Sequence, residues 1–406
     1  MEKQVLAKRD SWDTVEPSWG SGDLAAFKRA GTDEIEEFRK SFSKLAGFED
    51  DHLSLWPSAR AALKHVFRSL LEKSNSSEVV LPAFTCPVVS EVALAAGCRV
   101  TLYDQSSVFG LVDWAGLTSR LDSGPPPLAV VVTHLFGAPT DFRPILENCR
   151  NRGTAVIEDC SHCVGGSIGG NPVGTLGDFA VFSFNYDKPI TLGWGGALAT
   201  PGRPAPPGPS ATLNAEMEFR ALEDLVKFYA QRRSQLVGNH SVATFAKKIS
   251  SRIGRGRQPR IGKYSPALSE TQLGVGPVRA ALGLLQIERY PSTLRLRNEN
   301  ARFLASILPY ASTWNTDESV STAWIKMKVL FENSSQADNV AAQAQKFGYR
   351  LGRFNWPTTG APSVGLYPHA DGIAKCALDV PVHQSLSFAD IRAIAMIIED
   401  EADSVA

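Results

Sequence analysis

Between residues 78 and 200 the chain alternates short apolar runs with stretches of helical period. The runs are Val79–Leu81, Arg99–Tyr103, Leu128–Thr133, Ala155–Ile157, Phe179–Phe182 and Gly196–Thr200. Several are continuous and rich in Val, Ile and Phe, as fits strands buried on both faces. Strands alternating with helices predict an α/β layered domain with a mainly parallel sheet. In such sheets binding groups gather at the carboxyl ends of strands. Upstream, Ile35, Phe38, Phe42 and Leu45 recur at three- and four-residue steps and predict a helix from Asp33, stopped at Gly47. The segment LSLWPSARAALKHVFRSLLEKS reads as a turn entering a helix, with Ser58 at the cap position. Residues 1–30 read as an irregular arm anchored by Trp12 and Trp19.

Downstream the pattern changes. PGRPAPPGPS, residues 201–210, must be a loop or an exposed connector. Helical periods follow from Asn214 to Gln235 and from Val278 to Leu308, with Pro309 as a stop. No acidic residue lies between Asp224 and Glu270, while Lys227, Arg232, Lys247, Arg255 and Lys263 are among the cations there. That run reads as a solvated face or a mobile loop. Its functional alternative is support for an anionic substrate such as a nucleotide diphosphate, and nucleic acid is a weaker third reading. The last hundred residues predict a smaller α+β unit, with strands near Trp324–Leu330 and Leu378–Val382 and a closing helix from Ser387 to Glu401.

Composition narrows the class. At 406 residues the chain is long enough for about two domains. Lys plus Arg and Asp plus Glu are 42 each, so no basic excess points to nucleic acid or a membrane surface. Six cysteines in such a length argue against a disulfide framework and for a reducing compartment. The charged N-terminus has no apolar stretch of signal-peptide length, and no run suits a transmembrane helix. A cytoplasmic protein is the simplest expectation.

The chemistry concentrates in AVIEDCSHCVGGSIGGNPVGTLGDFAVFSFNYDKPITLGWGGALAT. Asp159 ends one apolar strand, Ser183 ends another, and Lys188 follows in a loop before Gly193, Gly195 and Gly196. An Asp, a Ser and a Lys at one sheet edge suit pyridoxal 5'-phosphate. That cofactor needs a lysine amine and a carboxylate facing its pyridinium nitrogen. It also needs hydroxyls and free N–H groups for its phosphate, which a helix start supplies. The start at Ser58-Ala59-Arg60 is the natural second half of such a phosphate site. Cys160-x-x-Cys163 with His162 between lacks a second ligand pair at zinc spacing, so no metal site is expected. The run from Gly165 to Gly170 lacks the G-x-G-x-x-G order of a dinucleotide site.

Six stretches in order carry a family resemblance: VVLPAFTCPVVSEVALAAGCRVTLYD, THLFGAPTDFRPI, VIEDCSHCVG, GDFAVFSFNYDKPITLGWGG, VRAALGLLQIERY and LDVPVHQSLSFADI. From Ile35 to Ile398 the chain resembles the DegT/StrS-type nucleotide-sugar aminotransferases, which are pyridoxal-phosphate enzymes of fold type I. The resemblance implies a large α/β domain with a mainly parallel central sheet and a smaller C-terminal α+β domain. On that basis residues 1–50 form an arm and helix, 51–235 the cofactor-binding large domain, 236–280 a basic loop and linker, and 281–406 the small domain. It implies that Lys188 is the Schiff-base lysine and Asp159 the partner of the pyridine nitrogen. His162 falls near the phenolic oxygen of the cofactor. Ser183 and the Ala59-Arg60 turn fall on phosphate ligands. Gln272 aligns with an Asn that reaches the phosphate from a neighbouring subunit. Cys86 stands where many members carry a stacking aromatic ring, Trp194 where a Glu is usual and Gly274 where an Arg is usual. The resemblance further implies a homodimer, glutamate or glutamine as donor, and a keto sugar, often nucleotide-linked, as acceptor. A lyase or dehydratase on the same scaffold and a cofactor-binding pseudo-enzyme are the alternatives. Family dehydratases often carry His in place of the Lys, which weighs against the first. The complete Lys, Asp and Ser set weighs against the second.

Overall fold

The computed structural model describes residues 14–19, 33–106, 109–209, 218, 224, 225, 227, 274–308, 316, 318–353 and 366–403. It opens with α1 (Asp33–Ala46), followed by β1 (Leu53–Trp56) and α2 (Ala59–Leu71). Alternation then runs through β2 (Glu78–Pro82), α3 (Pro87–Ala96), β3 (Arg99–Tyr103), α4 (Trp114–Ser123), β4 (Ala129–Thr133), α5 (Arg143–Arg152) and β5 (Ala155–Asp159). A two-strand excursion, β6 (Ser167–Ile168) and β7 (Asn171–Pro172), precedes β8 (Phe179–Ser183) and β9 (Gly196–Ala199).

These strands form a seven-stranded sheet in the order β1-β9-β8-β5-β4-β2-β3. From β3 to β8 every pair is parallel, and β9 runs antiparallel to both β8 and β1. The central strands β2 and β4 are buried at every position. Their β-branched residues face helices on both sides of the sheet, as parallel strands require.

The edge strand β1 corrects one expectation. Leu53–Trp56 is not part of a turn: it pairs with β9 in the register Leu53↔Ala199 to Trp56↔Gly196. Four residues carry too little alternation to announce a strand whose partner lies far along the chain. The helix cap is as expected, with the Ala61 N–H donating to Ser58 Oγ at 3.1 Å.

A 31-residue helix, α6 (Pro277–Ile307), forms the spine of the C-terminal half. Beyond it lie β10 (Val320–Ser321), β11 (Lys326–Leu330), α7 (Ser334–Lys346), β12 (Gly352–Arg353), α8 (Pro368–Cys376), β13 (Ala377–Pro381) and α9 (Phe388–Asp403). β13 sits between β11 and β12 in an antiparallel sheet. α1 packs on α6. A Cβ on Gly283 would lie 2.5 Å from Phe38 Cδ2, so the missing side chain leaves room for that ring. Phe42 continues the seam, edge-on to Phe182 at 5.3 Å and to Phe184 at 4.8 Å. Such aromatic pairs stabilise by about 1 kcal/mol beyond their burial. α6 also holds the C-terminal segment, with Asn300 Nδ2 donating to the His383 carbonyl at 3.0 Å and Arg297 Nε to Gln384 Oε1 at 2.9 Å. Arg297 and Gln384 both donate to the Glu16 carbonyl, which ties residues 14–19 to this spine.

Candidate active site

The carboxyl ends of β4, β5 and β8 place the expected residues on one edge of the large sheet. Asp159 closes β5, and its Oδ1 accepts the Ser161 N–H at 3.0 Å, which fixes the carboxylate. Ser183 closes β8, and its Oγ accepts the Asn185 N–H at 3.4 Å. The loop beyond β8 turns through Asp187, whose φ of 59° is left-handed, before presenting Lys188. Asp tolerates that conformation better than most residues.

Lys188 is close enough to Cys86 and Asp159 for their charges to act on its amine. Burial pushes the Lys188 ammonium below the usual lysine range. Cys86 and then Asp159 oppose that shift, and Lys326 adds to it. Burial likewise pushes the Cys86 thiol up, against the pull of Lys188. Cys86 therefore faces the site as a protonated thiol and offers no ring. Nor does its neighbour Phe84 supply one. The Phe84 ring is buried in the core, 6.3 Å from that of Phe136.

His162 is also buried here. Its Nδ1 accepts the Phe136 N–H at 3.4 Å, so the proton of the neutral ring resides on Nε2. Burial first, then Lys188, Lys326 and Lys328, push its pKa well below the usual histidine range. The ring is a neutral donor at physiological pH. Phe136 lies against it at 5.8 Å between centroids.

The start of α2 completes the group. Ala59 and Arg60 occupy the first turn, where backbone N–H groups have no carbonyl within the helix to bond. A bridge between Ser58 and Gly195 draws that turn against the end of β8. A Cβ on Gly196 would lie 2.6 Å from the Ser58 carbonyl carbon and 2.7 Å from the Phe182 oxygen. Only glycine permits this approach. Lys188, Asp159, His162, Cys86, Ser183, Ala59 and Arg60 thus line one region, while Gln272 lies outside the described residues.

Two of the three positions that depart from the resemblance pattern, Trp194 and Gly274, lie together. Arg279 is buried and bonds Glu218 at 2.7 Å. It also donates to the carbonyls of Trp194 and Gly274 and lies 5.4 Å from the Trp194 ring. Beneath Asp159, Glu158 accepts His134 Nε2 at 3.0 Å and the N–H groups of Gly174, Leu176 and Gly177. His134, Glu158 and Cys160 approach closely enough to suggest a metal. Those four bonds occupy the carboxylate, and the His134 Nδ1 accepts the Thr140 N–H. The cluster is a structural brace.

Reasoning from sequence missed one feature, the pair Lys326 and Lys328 on β11. Both are buried and both bond Asp379, at 2.7 and 2.8 Å. The signal was present as lysines two apart in the apolar run IKMKVL, which places them on one strand face.

Residues 26–203 match the model of the DegT/DnrJ/EryC1/StrS aminotransferase family. That segment is similar to the aminotransferases of this family. A relative, the UDP-N-acetyl-3-dehydro-alpha-D-glucosamine 3-aminotransferase of Acidithiobacillus ferrooxidans, is 33% identical over 131 residues, 32% of this chain and 35% of its own length. The chain therefore spans about a third of that relative. The dTDP-4-dehydro-2,3,6-trideoxy-D-glucose 4-aminotransferase of Saccharopolyspora spinosa is 25% identical over 88% of this chain and 86% of its own. Among solved structures, Spr1654 of Streptococcus pneumoniae in its PLP form matches with a TM-score of 0.72 at 18% identity, covering 98% of this chain and 100% of that one. The same protein has also been solved in a PMP form. The likeness of fold to that protein thus runs over nearly the whole chain, as α/β with a mainly parallel seven-stranded sheet. Among the described residues no helix is long and apolar enough to cross a membrane.

Proposed function

We propose that this chain is a pyridoxal 5'-phosphate-dependent aminotransferase that moves an amino group from glutamate or glutamine to a keto sugar, nucleotide-linked in the first instance. The observation that carries the reading is the half-buried Lys188 beside the Asp159 carboxylate at the carboxyl edge of the sheet. The residues fit the cofactor. The cradle at Gly196 and the first turn of α2 at Ala59-Arg60 suit a phosphate, with Ser183 adding a hydroxyl. Asp159 suits a protonated ring nitrogen, and the neutral His162 Nε2–H suits a phenolic oxygen.

Bound there, the cofactor would supply an electron sink for the pair released at the α-carbon of the donor. Lys188 removes the proton from that carbon and returns it one position away. Burial favours its neutral amine, which is the form that accepts a proton. Asp159 would keep the ring nitrogen protonated, and the Cys86 thiol would add no charge to the site. Gln272 would reach the phosphate from a second copy of the chain, which makes a homodimer part of this reading. The cytoplasm is the compartment expected of such an enzyme.

The test is borohydride reduction of the purified protein followed by peptide mass spectrometry. The pyridoxyl label is expected on Lys188 and absent from Lys188→Ala. A label elsewhere, or none, overturns the assignment. Mixing with L-glutamate should convert the visible spectrum to that of the amine form, and a panel of keto sugars then identifies the acceptor.

A further inference from the structure

β11 is charged where a strand so deep in a domain is usually apolar. Met327 and Val329, on one face, join the hydrophobic core. Lys326 and Lys328, on the other, reach a single carboxylate, Asp379, directly across the sheet from Lys328. Burying two ammonium groups is costly unless each is paired. A purely structural brace needs only one of them.

The pair is aimed at the site. Phe136 and Gly137 follow β4 and bond the segment leading into β11, through Ile325 N–H to the Phe136 oxygen at 3.0 Å and Ala323 N–H to the Gly137 oxygen at 2.6 Å. Gly137 has a φ of 93°, and a Cβ there would lie 2.5 Å from the Ala323 carbonyl carbon. Phe136 itself has a φ of 61°, a strained value for a bulky side chain. The result is a ring with Lys326 at 5.5 Å, Lys328 at 5.1 Å and His162 at 5.8 Å. The charge of Lys326 acts on Lys188 as well as on His162.

A donor that gives its α-proton to Lys188 must hold its α-carbon at that amine. Its α-carboxylate is one bond further on and needs a cation nearby. We propose that Lys326, held beside the Phe136 ring by Asp379, is a binding residue for the carboxylate of the amino donor, with Lys328 and Asp379 as its positioning residues. An ammonium carries three donors, so a bond to Asp379 is compatible with one to a ligand. This inference rests on the aminotransferase reading above.

The test is the donor half-reaction of the holoenzyme, followed by its spectrum, with L-glutamate, L-glutamine and isoglutamine (whose α-carboxylate is an amide). Lys326→Met is expected to lower kcat/KM for glutamate and glutamine by about 10- to 100-fold, mainly through KM, as loss of a charge-assisted bond does. The already slow rate with isoglutamine should stay the same. Lys326→Arg should recover part of the loss, and calorimetric binding of 2-oxoglutarate should weaken in parallel. Loss with glutamate and isoglutamine but not glutamine would move the contact to the side-chain carboxylate and overturn the proposal. So would equal loss with all three, or loss confined to the acceptor half-reaction. If Lys326→Met does not fold, Lys326→Gln, which keeps a donor for Asp379, gives the same comparison. A wild-type protein inert to every donor would overturn the aminotransferase reading and this inference together. Normal wild-type turnover with an unaffected variant would overturn this inference alone.

Discussion

Gly196 and Ser58 approach so closely that a Cβ on Gly196 would lie 2.6 Å from the Ser58 carbonyl carbon. The first residue of β9 thereby sets how near the α2 start comes to the end of β8. Gly196→Ala is expected to push the Ala59-Arg60 turn outward and to weaken cofactor retention at least tenfold, by analogy with misplaced binding groups elsewhere. Gly372→Ala is the contrast. It lies in α8 with nothing within 4 Å of the added Cβ, and should stabilise by about 0.5–1 kcal/mol. Fluorescence titration of the cofactor and thermal melts of both variants check the pair. Unchanged retention in Gly196→Ala would remove the phosphate role from this turn.

Glu158 braces the strand that carries Asp159. Its two oxygens accept three backbone N–H groups and His134. Glu158→Gln would turn an NH2 toward donors that are already pointing in. A loss of about 3 kcal/mol in unfolding free energy is expected from urea titration. A loss below about 0.5 kcal/mol would mean that the brace is relaxed in solution.

Much of this site was legible because its parts lie close in sequence. Asp159, Ser183, Lys188 and Gly196 fall within one stretch, each marked by the end of an apolar run or by a glycine. The strands β2, β4 and β5 were legible because burial on two faces leaves a continuous Val and Ile signature. What failed to show is what long-range pairing decides. β1 is a strand only because β9 lies beside it. Lys326 and Lys328 read as polar interruptions of a strand until β13 brings Asp379 across from them. The positive φ of Phe136 has no sequence marker at all, since nothing in LFGAP distinguishes a strained ring from a packed one.

Two buried thiols predict an alkaline limit to stability. Burial pushes Cys98 and Cys149 up from 9.0 to about 11 in the folded chain, with Asp178 adding to the shift at Cys149. Between about pH 9 and pH 11 the unfolded chain has released these protons and the folded chain still holds them. More protons bound in the folded state means that stability falls as pH rises through that window. Below pH 9 both states are protonated and the thiols give no slope. The double variant Cys98→Ala with Cys149→Ala should therefore lose less stability between pH 9 and pH 11 than the wild type does. Parallel curves from urea titration at each pH would contradict the assignment.

Asp159→Asn separates charge from scaffold. The Asn carbonyl can still accept the Ser161 N–H that Asp159 Oδ1 accepts at 3.0 Å, so the end of β5 keeps its local bond and the melting temperature should hardly move. What is lost is the negative charge that would keep a ring nitrogen protonated. Without it the electron pair left by the α-proton has no stabilised destination, and the amine of Lys188 works against a higher barrier. A 100- to 10,000-fold slower donor half-reaction is expected, about the range seen for positioned proton-transfer groups. Stopped-flow spectroscopy with L-glutamate reads the rate directly, and reduction with borohydride shows separately whether the variant still carries cofactor on Lys188. A labelled variant that reacts at the wild-type rate would show that the carboxylate serves only the fold.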